Sequence, residues 1–194
     1  MRICFLGDSI TNGIGDPEFL GWPGRLCKRE APSLADLTAY NLGVRADTTA
    51  LLLERALPEI THRLPDGVDG RVVVSCGVAD AFLMGDLPRI PSFDSLANLR
   101  QILDQLTPRY PLLVVGPTPV ADPRRNAQVA EINSVYANGL AETDIPFCNV
   151  YERLGQSAAW QHDLQIGDGV HPKADGYTAM ADIIADWKGW RSWF

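Results

Sequence analysis

Short apolar runs, each stopped by a small residue, punctuate the chain. Arg2–Leu6 ends at Gly7, and Leu37–Leu42 is a weaker run closed by Gly43. Arg71–Cys76 is rich in valine and closed by Gly77; Leu112–Val115 is closed by Gly116 and Pro117; Ile145–Val150 is the last such run. Runs this short and this continuously apolar fit parallel strands covered on both faces. Between them the spacing turns helical. Thr48–Leu64 carries Leu51, Leu52, Ala56, Leu57 and Ile60 near a helical repeat, with Pro58 as a candidate break. Leu96–Leu106 sets Leu96, Leu99, Ile102, Leu103 and Leu106 in one amphipathic stripe, and Asn126–Ala141 and Ala174–Trp187 read the same way. The alternation predicts one α/β domain over residues 1–194: a flavodoxin-like, doubly wound three-layer sandwich around a five-stranded parallel sheet. Such sheets bind ligands beyond the carboxyl ends of their strands, so chemistry is sought just after each strand.

Composition narrows the function classes. The 194 residues are 46% hydrophobic and 21% charged, enough apolar material for a sizeable core. Seventeen Lys+Arg against 24 Asp+Glu leave a net charge of -7, and no basic cluster is longer than Arg124-Arg125. No nucleic-acid partner is therefore expected, and the acidic balance disfavours an anionic membrane surface. No apolar run approaches a membrane span, and Ile3–Leu6 is too short for a signal sequence, so no stable membrane insertion is expected. The four cysteines (Cys4, Cys27, Cys76 and Cys148) are scattered without a C-x-x-C pair, and Cys4, Cys76 and Cys148 lie in strand-like runs and read as buried free thiols, so a reducing cytoplasm is expected.

Two clusters can carry chemistry. Gly7-Asp8-Ser9-Ile10-Thr11-Asn12-Gly13 follows the first strand and puts a serine on a strand-to-helix turn, with backbone N–H groups free to face an anion. Taken alone, this is also an ordinary turn with a capping serine. Gly167-Asp168-Gly169-Val170-His171-Pro172 precedes the last helix. An Asp and a His three apart on a tight loop can set the carboxylate on one imidazole nitrogen and leave the other for a nucleophile. A surface pair explains an isolated D-x-x-H equally well; the combination of both clusters gives them meaning.

In these blocks the sequence resembles the SGNH, or GDSL-type, hydrolase superfamily. Gly7-Asp8-Ser9-Ile10 is similar to its first block, Asn41-Leu42-Gly43 to its second, Gly77-Val78-Ala79-Asp80 to its third, and Asp168-Gly169-Val170-His171 with Pro172 to its last. The resemblance runs in order over essentially the whole chain. It implies an esterase, acetylesterase, thioesterase or lipase-like enzyme acting on a small ester or thioester, without cofactor or metal, as a monomer or homodimer. It assigns Ser9 as nucleophile, His171 as general base, Asp168 as its orienting acid, and the N–H groups of Ser9 and Gly43 as oxyanion donors.

The departure is Ala79, where the superfamily supplies a side-chain amide as a third oxyanion donor. Loss of one such donor typically costs about 10²–10³ in turnover. Three readings remain open at this stage. Hydrolysis persists on two backbone donors, helped by Asn12 or a water; the position was altered by design; or hydrolysis was lost and binding kept.

Asp8, Asn12, Arg45 and Asp80 are candidate substrate contacts, and Arg124 and Arg125 suggest tolerance of a negative group. The loops Ala81–Phe93 and Pro117–Asn126 are expected to line the site, with Phe82, Leu83 and Met84 as an apolar wall. His62 reads as exposed. His162 and Asp163 lack the company of a metal motif. Trp187, Trp190 and Trp193 are spaced to pack on the domain. A flavin or nucleotide binder is disfavoured because the Gly7–Gly15 loop has neither G-x-x-x-x-G-K-[ST] nor G-x-G-x-x-G.

Overall fold

The computed structural model describes residues 1–34 and 36–194. Along the chain run β1 (Arg2–Gly7), α1 (Ser9–Asn12), α2 (Gly21–Glu30), β2 (Thr38–Gly43), α3 (Thr49–Arg63), β3 (Gly70–Ser75), β4 (Leu83–Met84), β5 (Leu87–Pro88) and α4 (Ser92–Leu106). They are followed by β6 (Leu112–Val115), α5 (Pro123–Leu140), β7 (Phe147–Cys148), α6 (Tyr151–Gly155), α7 (Ala158–Ile166), α8 (Ala174–Ala185) and α9 (Lys188–Arg191).

The main sheet has the order β2-β1-β3-β6-β7, every neighbouring pair parallel, as the apolar runs predict. β4 and β5 form a separate antiparallel hairpin. The central strands β1 and β3, with β6, are buried on both sides because both faces are covered, whereas the edge strand β2 leaves Ala39 and Asn41 exposed. In β1, Ile3, Cys4, Phe5 and Leu6 are all fully buried. Phe5 meets the Trp22 ring edge-on with centroids 5.4 Å apart and lies 6.2 Å from Trp190. One layer is α2 against α8 with α7 and α9; the other is α3, α4 and α5 in succession. Each buried Leu, Ile or Phe contributes about 1.5–3 kcal/mol, so these two packed layers hold the sheet.

The structure departs from the sequence pattern in places. β7 is two residues, shorter than the Ile145–Val150 run. It is an edge strand paired on one side, and Pro146 has no N–H to extend the ladder. α3 runs through Pro58, at the loss of one i→i−4 hydrogen bond. α8 stops at Ala185, so Trp187, Trp190 and Trp193 do not share one helix. They do pack on the domain: Trp190 is fully buried with its Nε1 donating to Glu30 Oε1 at 3.0 Å, and the Trp193 ring lies tilted beside it, centroids 5.9 Å apart.

β2 ends where the chain presses on α1. A Cβ on Gly43 would lie 2.1 Å from the Asn12 backbone nitrogen. Gly43→Ala is therefore expected to lower stability by about 2–3 kcal/mol, through overpacking against backbone that cannot rotate away. Chemical denaturation of the variant measures it; a loss below about 0.5 kcal/mol, the usual range for a neutral surface change, would show that β2 and α1 can separate freely.

Candidate active site

The order β2-β1-β3 means that the chain leaves β1 to one side and later returns to its other side, opening a crevice at the carboxyl ends of β1 and β3. α1 starts in that crevice. Asp8 caps it, Oδ1 accepting the Ile10 N–H at 2.9 Å, and Gly13 ends it in a left-handed conformation at φ 86°. This short turn leaves Ser9 at the rim, nearly buried, with its hydroxyl toward the last loop.

That loop supplies the partner. Asp168 Oδ1 accepts the N–H groups of Val170 and His171 at 2.9 and 2.8 Å, and Gly169 provides the positive φ the tight turn needs. Asp168 Oδ2 lies 2.7 Å from His171 Nδ1, and His171 Nε2 lies 2.8 Å from Ser9 Oγ. A carboxylate on Nδ1 favours the tautomer with its proton there, leaving the Nε2 lone pair for the serine. Partial burial works to raise the Asp168 pKa, but the hydrogen bonds from the His171 ring and the two N–H groups outweigh it and hold the carboxyl at about 2. Asp168 is therefore an anion at neutral pH. The loop is fixed from outside by Asp163 of α7, whose Oδ2 accepts the N–H groups of Lys173 and Gly176. Gly169 O also accepts the Ala121 N–H at 2.7 Å.

Beneath Ser9 sits Asp8, only 2% exposed, its Oδ2 without a hydrogen-bond partner among the described residues. Burial pushes its carboxyl up to about 7, and the Asp80 carboxylate pushes the same way. The folded chain therefore holds a proton here at pH values where the unfolded chain, near the ordinary 3.8, has released it. That contribution to stability is complete below the unfolded value and is lost as pH rises through about 7. Between pH 5 and 8 the unfolding free energy is expected to fall by about 1–3 kcal/mol from this group, and Asp8→Asn to flatten the slope. Urea titrations at stepped pH read the slope; an unchanged slope in the variant would assign it elsewhere.

Ser9, Ala79, Phe82, Val170 and His171 border a cavity of about 220 Å³ with Ala46, Arg45, Arg89 and Arg125. Two candidate oxyanion donors open onto it. The N–H of Ser9 has no acceptor among the described residues, and neither has that of Ala46. Ala46 holds a left-handed φ of 65°, a conformation that costs a non-glycine residue about 1–2 kcal/mol.

This arrangement corrects several expectations. The Gly43 N–H is not an oxyanion donor: it is bound by Asn41 Oδ1 at 2.9 Å, and Gly43 does not border the cavity. Asn12 turns away and donates from Nδ2 to Gly43 O at 2.9 Å. Asp8 is a buried cap, and Asp80, fully buried, accepts the Thr49 N–H and hydroxyl at 2.8 and 2.6 Å, fixing the start of α3. None of these three borders the cavity. Arg124 pairs with Asp86 at the surface, and of the expected apolar wall only Phe82 is present, Met84 being 73% exposed.

Arg45 and Arg125 do border the cavity, as does Ala79. Sequence reasoning missed Ala46 and Arg89. An alanine carries no sign that its backbone is left-handed, and Arg89 is brought in by the β4–β5 hairpin, which is too short to leave a pattern. His62 and His162 are exposed. Cys4, Cys76 and Cys148 are buried free thiols, and burial pushes Cys4 and Cys148 up to about 12. Among the described residues no His, Cys, Asp and Glu side chains gather into a group able to hold a metal ion, and no helix is long and apolar enough to cross a membrane.

Comparison with known proteins bears on the whole chain. The profile of the GDSL-like Lipase/Acylhydrolase family matches residues 5–179. A lipase/acylhydrolase from Enterococcus faecalis is 25% identical and superposes with a TM-score of 0.80 over 98% of this chain and 96% of its own. A member of the lipolytic G-D-S-L family from Veillonella parvula is 21% identical, with a TM-score of 0.73 over 96% of this chain and 97% of that one. A variant of an acetyl-xylooligosaccharide esterase from Geobacillus is 20% identical, with a TM-score of 0.73 over 96% and 94%. The last two share the fold. No curated protein sequence matches the chain.

Proposed function

Because the chain belongs to the GDSL-like lipase/acylhydrolase family, we propose that it cleaves small carboxylic esters or thioesters through an acyl-Ser9 intermediate. The hydrogen-bonded line Asp168–His171–Ser9 carries this reading. His171 Nε2 takes the proton of Ser9 Oγ as the oxygen attacks the acyl carbon. Asp168 stabilises the imidazolium that results. The N–H groups of Ser9 and Ala46 receive the developing oxyanion. His171 then returns the proton to the departing alcohol or thiol. Water enters by the same route: it gives its proton to His171, its oxygen joins the acyl carbon, and Ser9 Oγ leaves with the proton. No cofactor takes part, and the substrate is a small molecule.

The experiment pairs a serine-directed phosphonate with p-nitrophenyl acetate. The expected results are one phosphonyl group on Ser9, located by peptide mass spectrometry, and release of nitrophenolate that labelling abolishes. An unlabelled Ser9 together with no turnover would overturn the proposal.

Ala79 supports a second reading, an acyl-binding protein of the same fold whose hydrolysis has decayed. The third donor is replaced by a methyl group that borders the cavity. Binding of an acyl ester without release of its alcohol is the signature of that reading.

A further inference from the structure

Ester cleavage leaves one feature of the cavity unused. Three of its bordering residues, Arg45, Arg89 and Arg125, are cationic, and its one carboxylate, Asp168, is engaged by His171. The chain as a whole carries a net charge of -7, so this concentration runs against the average. Many arginines elsewhere are paired, among them Arg25 with Asp16 and Glu18, Arg55 with Asp47 and Glu59, and Arg124 with Asp86, while Arg100 and Arg153 donate to backbone carbonyls. Among the described residues the three cavity arginines have no carboxylate partner.

Two of them are also held in place. Arg89 Nη1 donates to Ala46 O at 2.9 Å, which ties the segment after the β4–β5 hairpin to the turn that bears the candidate oxyanion donor. The Arg125 guanidinium stacks 4.6 Å above the Phe82 ring centroid. Arg45 is exposed and adjoins Ala46 in sequence. A guanidinium anchored through one nitrogen or one face keeps its remaining N–H groups for a planar or tetrahedral anion.

Resting on the ester-hydrolase reading, we infer that the preferred substrates carry a second, anionic group, a carboxylate or a phosphate, and that Arg45, Arg89 and Arg125 receive it beside the scissile ester. They are specificity-determining residues: they act on which ester is held, while Ser9, His171 and Asp168 act on its bond. Because the guanidinium groups are partly exposed, their pull on the anion weakens with added salt.

The test compares kcat/KM, each value divided by the ester's own rate with hydroxide, for phenyl acetate, 4-acetoxybenzoate and 4-acetoxyphenyl phosphate. Monomethyl glutarate against methyl valerate probes the acyl side. At least one anionic ester is expected to exceed its neutral counterpart by about tenfold or more. The ratio should fall toward one at high salt and in the Arg45→Gln/Arg125→Gln double variant, and stay unchanged in Arg124→Gln. A larger gain with the carboxylates or with the phosphate identifies the source of the anion, and either supports the inference. Neutral esters turned over as well as the anionic ones would overturn it while leaving ester hydrolysis standing. If no ester is cleaved, calorimetric titration of Ser9→Ala with benzoate, phenyl phosphate and benzamide decides separately. Anion binding that the double arginine variant loses upholds the anion site, and binding no tighter than that of benzamide refutes it.

Discussion

Replacing Ser9 by alanine is expected to lower ester turnover by about 10⁶-fold, to what the oxyanion donors and substrate binding achieve alone. The size of the loss follows from the geometry. Ser9 Oγ, His171 Nε2 and Asp168 form one line of hydrogen bonds, so the three work as a unit and their deletions do not add. His171→Ala is expected to cost about as much as Ser9→Ala, and the double variant little more. Asp168→Asn is milder, at about 10⁴-fold, because an amide at that position favours the wrong imidazole tautomer while leaving the nucleophile in place. Single-turnover rates with p-nitrophenyl acetate, alongside far-ultraviolet circular dichroism to verify folding, measure the series. Retention of more than a few per cent of activity by Ser9→Ala, or additive losses across it, would mean that another group attacks the ester.

Ala79→Asn is expected to move activity in the opposite direction, raising kcat by about 10²–10³-fold. Ala79 follows β3, is nearly buried, and borders the cavity beside Ser9. An asparagine there can project its amide toward the space where the oxyanion forms, adding a third donor to the N–H groups of Ser9 and Ala46. The gain belongs in kcat rather than KM, because the charge it meets exists only in the transition state. If the natural chain hydrolyses esters slowly and Ala79→Asn accelerates it on this scale, the missing amide is its limitation. An unchanged kcat in an active enzyme shows that two donors suffice. An inactive natural chain rescued by the substitution favours the acyl-binding reading, with all other parts of the machinery intact.

The fold was largely legible in the sequence, since parallel strands covered on both faces must be apolar where they are buried, as Ile3–Leu6, Val72–Val74 and Leu112–Val115 are. Legibility failed where a residue's role lies in its backbone. Gly21, Pro23 and Gly24 are poor helix formers, yet α2 begins there, with Trp22 buried against Phe5. Of the candidate site, the serine and the D-x-x-H pair were visible because their chemistry lies in side chains close together in sequence or on a distinctive turn. The second candidate oxyanion donor was not: Gly43 carries the familiar signal of a glycine after a strand, but that glycine is there for the close approach of α1. The open N–H belongs to Ala46, whose side chain says nothing about it.

The Ser9–His171 hydrogen bond joins residues 162 apart in the chain, whereas Asp168 and His171 are only three apart on one loop. During synthesis Ser9 is therefore made well before Asp168 and His171. Every strand of the sheet has been translated before His171 exists, and α8 must then dock for the loop to be held. On the proposed mechanism, a chain cut short before His171 carries an inert serine, so ester cleavage in a growing or refolding population counts only molecules in which the Asp168–His171 loop has closed on Ser9. The long loop closure also makes pairing of Ser9 with His171 a late event in folding. Recovery of activity should accordingly trail recovery of helical signal whenever the chain is refolded from denaturant.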